Sequence, residues 1–133
     1  MTQRTLIRIT AVLGALSVAL GAFGAHSLER LVPPDSVETF VTGVRYQFYH
    51  TLGIGMLAAL WPSDHLRRGR LETVVYLWLT GILLFSGSLY LLSLRQVHGL
   101  AISFLGPITP IGGLLFIAGW VTLFFAVRST DHE

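Results

Sequence analysis

Four stretches of this 133-residue chain, residues 9–25, 41–61, 73–94 and 107–127, run apolar with few charges. A hydrocarbon core about 30 Å thick needs roughly 20 apolar residues at about 1.5 Å rise each, so every window has the length scale of a membrane crossing. The composition agrees: 53% of residues are hydrophobic and the mean hydropathy is +0.67, far above a soluble norm. The expected fold class is therefore all-α, a single integral membrane domain built as a four-helix transmembrane bundle. Arg4 and Arg8 before an apolar run ending at Ala22-Phe23-Gly24 also fit a cleaved signal peptide; a retained helix is the reading adopted.

Charge sets the orientation. Arg4, Arg8, Arg67, Arg68, Arg70 and Arg128 fall on the side holding both termini, against Arg30, Arg45 and Arg95 on the other, which places both termini in the cytoplasm. Trp61, Trp78 and Trp120 then lie in the cytoplasmic halves of their spans, as interfacial aromatics do. The net charge of +2 comes from arginines at span ends rather than from a basic stripe, which argues against a nucleic-acid partner. Cysteine is absent, which excludes disulfides, thiolate catalysis and cysteine-ligated metals.

The joints are legible. In "LVPPDSVETF" the Pro33-Pro34 pair stops a helix, and Asp35 with Glu38 three residues later predicts a capping-box start for a second helix over 36–61, about 39 Å long. "WPSDHLRRGR" is a short basic turn that makes the second and third helices antiparallel neighbours. In "GPITPIGG", Thr109 is the expected N-cap and Pro110 the first residue of the fourth helix.

Periodicity then assigns faces. On the first helix Gly14, Ser17, Gly21 and Gly24 form one small-residue stripe and Ala11, Ala15, Ala22 and His26 a second, leaving Val12, Leu13, Leu16, Leu20 and Phe23 for lipid. Small residues let helix backbones approach, so this helix is expected to be the most enclosed. On the second helix, "VRYQFYHTLG" carries Gly43, Tyr46, Gln47 and His50 on one face, with Arg45 nearly opposite beside Glu38 and Tyr49. A polar group at the depth of Gln47 or His50 requires partners inside the protein. Arg45, nearer a helix end, can reach back toward headgroups or Glu38.

His26, Arg95, His98 and the start of the last helix share the outer end, where with Arg45 they could hold an anion or lipid headgroup. The candidate ligand-binding residues are accordingly His26, Arg45, Tyr46, Gln47, His50, Arg95, His98 and Thr109, with His26 and His50 expected to share one pocket. Gly14, Ser17, Gly21, Gly24, Gly112 and Gly113 are expected to serve packing. No metal site and no cofactor are assigned.

"GAFGAH" at 21–26, "RYQFYH" at 45–50 and "GPITPIGGLLFIAGW" at 106–120 resemble the YgdD-like family of small membrane proteins, domain of unknown function 423, over nearly the whole chain. The resemblance implies a four-helix protein of the bacterial inner membrane, with eukaryotic relatives and an unassigned role. It marks Gly21, Gly24, His26, Arg45, Tyr46, Gln47, His50, Thr109, Pro110, Gly112 and Gly113 as motif positions.

Three function classes follow. The favoured one is a non-catalytic accessory or assembly subunit, partnered by membrane lipid and by another membrane protein or a second copy of itself. The alternative is binding or transport of a small solute, proton or lipid through the His/Arg/Gln site. An enzyme, or a metal or haem protein with His26 and His50 as ligands, lacks an HExxH motif and any deep carboxylate. Arg68 and Glu72 are expected to form a weak i,i+4 pair, and His65, His132 and the tail "RSTDHE" to be solvated and idle.

Overall fold

The computed structural model describes residues 1–128, all helix and turn apart from one isolated bridge between Leu66 and Val127. The tail from Ser129, with His132, lies outside the described residues. Helix α1 spans Gln3–His26, α2 Pro34–Leu60, α3 Arg68–Gly81, α4 Gly87–Ser93, α5 Arg95–His98 and α6 Ile108–Phe124. A π turn, Ile82–Ser86, joins α3 to α4 into one long helix, closed where Gly87 N–H donates to Ile82 O. Two of these helices, Gln3–His26 and Arg68–Ser93, are both long and apolar enough to cross a membrane; α6 is apolar but shorter, at 17 residues.

The ends of the elements follow local chemistry that differs from the expectation at two points. Pro33, with φ −61° and ψ 158°, is the N-cap of α2 and Pro34 the first helical residue, so the fixed proline φ starts the helix before Asp35 can cap it. Likewise α6 begins at Ile108 behind Pro107, which puts Thr109 inside the first turn. There its hydroxyl reaches back to Leu105 O and pairs with Ser88 Oγ at 2.7 Å. Thr109 therefore ties α6 to α4 and caps nothing.

Contacts run in chain order: α1 packs on α2, α2 on α4 and the π turn, and α3 with the π turn on α6. Gly14 faces Thr51, Gly21 faces Val44 and Gly24 faces Phe40, so α1 and α2 are antiparallel. Gly53 meets Trp78 and Gly43 meets Tyr90, which makes α2 antiparallel to the third long helix. The main core gathers Leu6, Ile54, Leu57, Leu71, Val74, Val75, Trp78 and Phe116; a smaller one around Leu28, Val32 and Phe40 closes the other end.

Helix α1 is not the most enclosed helix. Only Leu6, Ser17 and Gly24 are buried along it, and Ala11, Ala15, Ala22 and His26 of the second stripe are exposed. The physical reason is that one stripe satisfies one neighbour: α1 lies on α2 through Gly14, Ser17, Gly21 and Gly24, only the residues flanking that stripe are also covered, and the opposite side faces outward. Leu13, Leu20 and Phe23, assigned to lipid, instead pack against the cores, Phe23 edge-on to Phe40 at 5.7 Å between ring centres. Trp61 and Trp78 are buried rather than belted at an interface. Glu72 pairs with the Met1 amino group, while Arg68 lies over the Trp61 ring, so the Arg68–Glu72 pair is absent among the described contacts.

Candidate functional site

The buried side of α2 carries two polar centres one turn apart, and each addresses a different helix. Gln47 is the first. Its Nε2 donates to Ser17 Oγ at 3.0 Å and to Leu13 O at 3.3 Å, and its Oε1 accepts from Tyr90 OH at 2.9 Å. Ser17 Oγ itself donates to Leu13 O, so it must accept from the amide, and that fixes which way the amide points. Gly43 makes room for the Tyr90 ring, since a Cβ there would lie 2.8 Å from it. One amide thus ties α1, α2 and α4 together.

His50 is the second centre, 4% exposed. Its ring stacks on Phe116 with 3.6 Å between centres and 9° between planes, and Trp78 meets it edge-on at 5.7 Å. Nδ1 lies 2.8 Å from Tyr46 O, and Trp120 Nε1 donates to Nε2 at 3.2 Å. An indole N–H only donates, so Nε2 is the acceptor and Nδ1 carries the proton to Tyr46 O. The imidazole is the neutral Nδ1–H tautomer, with both nitrogens engaged. Tyr46 stands at the rim over Phe85 and Phe116, on a groove of about 530 Å³ shared with Pro110, Gly113 and Trp120.

The remaining candidate residues do not join these two. His26 ends α1 on the exposed surface, beyond Gly24, which sits beside Phe40. The antiparallel register therefore sets His26 roughly 18 Å from His50 along the axis. The shared pocket is not formed, because the ring of His50 turns to α6 while α1 lies on another side of α2. Arg95 is exposed on α5. His98 locks its own turn, its Nε2 within 2.9 Å of Leu91 O and its Nδ1 accepting from Leu100 N–H. Arg45 faces away from both centres into a separate cavity with Glu29 and Glu38. Among the described residues no group of three or more His, Asp or Glu side chains gathers as metal ligands would.

Phe116 and Trp120, the latter expected only as an interfacial aromatic, are partners of His50 that the candidate residues leave out. Their signal is the spacing Gly112, Phe116, Gly119, Trp120, which puts two small and two aromatic residues on neighbouring turns of one face. Tyr90, and Ser17 as a hydrogen-bond partner rather than merely a small residue, have no such signal.

A helical fold with two helices long and apolar enough to cross a membrane, and buried polar side chains hydrogen-bonded between helices, is of the kind that membrane proteins have. The chain is a member of the family described as "Protein of unknown function (DUF423)", whose model matches residues 20–113. It is 44% identical over 125 residues to the UPF0382 membrane protein YwdK of Bacillus subtilis, covering 93% of this chain and 96% of that protein. It is 39% identical over 117 residues to a UPF0382 membrane protein of Haemophilus influenzae, covering 88% of each, and 38% identical over 121 residues to C1782.12c of Schizosaccharomyces pombe, covering 90% and 98%. No solved structure matches. The match carries His26, Arg45, Gln47, His50 and Thr109 but stops short of Phe116 and Trp120.

Proposed function

We propose that the chain is a four-span protein of the bacterial inner membrane with both termini cytoplasmic, and that it acts as a non-catalytic accessory or assembly subunit. All four long helices then form one transmembrane bundle. Helix α2, at 27 residues about 40 Å long, crosses with its Pro34 end protruding, and α6 crosses at about 25 Å with its flanking turns completing the span. The carrying observation is that two buried polar side chains of α2 bond to other helices, Gln47 to Ser17, Leu13 O and Tyr90, and His50 through Nε2 to Trp120. Such bonds fix register and leave the outer faces for a partner.

A single solute or proton site built from His26, Arg45, Gln47 and His50 fits less well, because those four residues point in different directions. The expected partner is another membrane protein or a second copy. Purification of the intact chain from native membranes in mild detergent tests this: co-purification of a stoichiometric partner or a defined oligomer is expected. A strictly isolated monomer would defeat the proposal.

A further inference from the structure

We propose that the cavity beside the Pro34 end of α2 binds the headgroup of an aminophospholipid, a zwitterionic lipid carrying a phosphate and a primary ammonium. The cavity has a volume of about 570 Å³, a floor of Val32, Val37 and Val41, and Glu29, Glu38 and Arg45 around it. That volume is in the range of small-molecule sites. All three charged side chains are exposed, and among the described residues none of them makes an ion pair.

The order of Glu38 and Arg45 along α2, with Glu29 on the turn Leu28–Arg30 that precedes it, selects the ligand. This inference rests on α2 crossing the membrane, as proposed above. Arg45 then lies fifteen residues from Leu60, roughly 22 Å along the axis, inside a hydrocarbon core of about 30 Å. Glu38 lies roughly 33 Å from Leu60, at or above the boundary. A guanidinium held below the headgroups and facing outward is costly unless it reaches up to an anion, and its long side chain allows that. In a glycerophospholipid the phosphate is nearer the acyl chains and the amine nearer water.

The protein presents the complementary sequence: a cation below for the phosphate and two carboxylates above for the ammonium, beside Val32, Val37 and Val41. A primary ammonium donates charge-assisted hydrogen bonds to Glu29 and Glu38, which a choline cannot do. A headgroup with phosphate and no amine meets two carboxylates without compensation, which is discrimination by repulsion.

The test is native mass spectrometry of the full chain in detergent, titrated separately with dioleoyl phosphatidylethanolamine, phosphatidylcholine and phosphatidylglycerol. The expected result is retention of phosphatidylethanolamine about tenfold tighter than phosphatidylglycerol, with phosphatidylcholine between them, and a loss of about tenfold for phosphatidylethanolamine in Arg45→Gln. The double variant Glu29→Gln, Glu38→Gln should lose the preference for the amine lipid while still binding lipid. Both glutamates are exposed, so this double variant carries the test if Arg45→Gln fails to fold, with helix content checked by circular dichroism.

Equal binding of phosphatidylethanolamine and phosphatidylglycerol by the unaltered chain overturns the proposal, as does an undiminished preference in the double variant. Failure of the crossing itself would register separately, as aqueous labelling of a cysteine placed on the outward face of α2.

Discussion

An imidazole that accepts from Trp120 at one nitrogen and donates to Tyr46 O at the other has no nitrogen free for a ligand, so the worth of His50 must be sought in packing. Its ring fills the space between Phe116 and Trp78, and truncating it opens a void among aromatics. His50→Ala should therefore lower unfolding stability in detergent by about 3 kcal/mol, as for other large buried rings. His50→Phe keeps the stack on Phe116 and loses only the Trp120 and Tyr46 contacts, so its cost should be nearer about 1 kcal/mol, the scale of one interhelical hydrogen bond. Denaturant titration followed by tryptophan fluorescence or circular dichroism measures both. If the two variants lose the same stability, the ring's shape is irrelevant and its nitrogens carry the effect. The sequence marked Gln47 and His50 as needing internal partners because depth and polarity can be read from one helix. It could not say that Gln47 reaches back to Ser17 while His50 turns to Trp120, because adjacency between helices is written in no single helix's periodicity.

At the scale of elements, the third long helix changes neighbours where it widens. Up to Gly81 it lies mainly on α6, and from Gly87 mainly on α2, with the π turn Ile82–Ser86 between. Inserting the wider turn lets one helix aim two successive stripes in different directions. Nothing in the letters ILLFS announces this, since an apolar run reads alike in α and π geometry. Small residues were legible as contacts, but not how tight each contact is. A Cβ at Gly112 would collide with the backbone of Phe85 in the π turn, whereas one at Gly113 would lie 3.7 Å from the Phe85 ring. Gly112→Ala should therefore cost about 2 kcal/mol or more by forcing α6 off the π turn. Gly113→Ala should be neutral or stabilising by about 0.5–1 kcal/mol through helix propensity. Thermal unfolding of the two single variants in one detergent decides it, and equal effects would show that α6 is not seated on Phe85 as described. The same distinction explains the overestimated enclosure of α1. Its stripe was correctly placed, but a stripe gives the face of a contact and not the number of helices that share it.

At the scale of the molecule, each long helix carries exposed large apolar residues. Val12, Leu16 and Val18 on α1, Phe48, Leu52 and Met56 on α2, Leu83 in the π turn, and Leu114, Ile117 and Phe124 on α6 are all exposed. Exposed apolar residues on this scale need a covering, and lipid is the covering that fits a belt rather than a patch. The proposed crossing by every long helix has a sharper consequence than hydropathy, because it would fix which turns share a side. The chain has no cysteine, so each introduced thiol is unique without further alteration. With a membrane-impermeant maleimide on intact spheroplasts, Gln96→Cys should label from outside, while Asp64→Cys and Arg128→Cys should label only after permeabilisation. Leu52→Cys and Leu83→Cys, on outward faces of α2 and the π turn, should resist the reagent in both states. The four helices make separate claims in this experiment. Labelling of Leu52→Cys like a loop residue would take α2 out of the membrane, and labelling of Arg128→Cys together with Gln96→Cys would lay α6 along the surface. Helix α6 is the demanding case, since its 17 residues reach across only about 25 Å, and a thinner local bilayer or its flanking turns must supply the remainder.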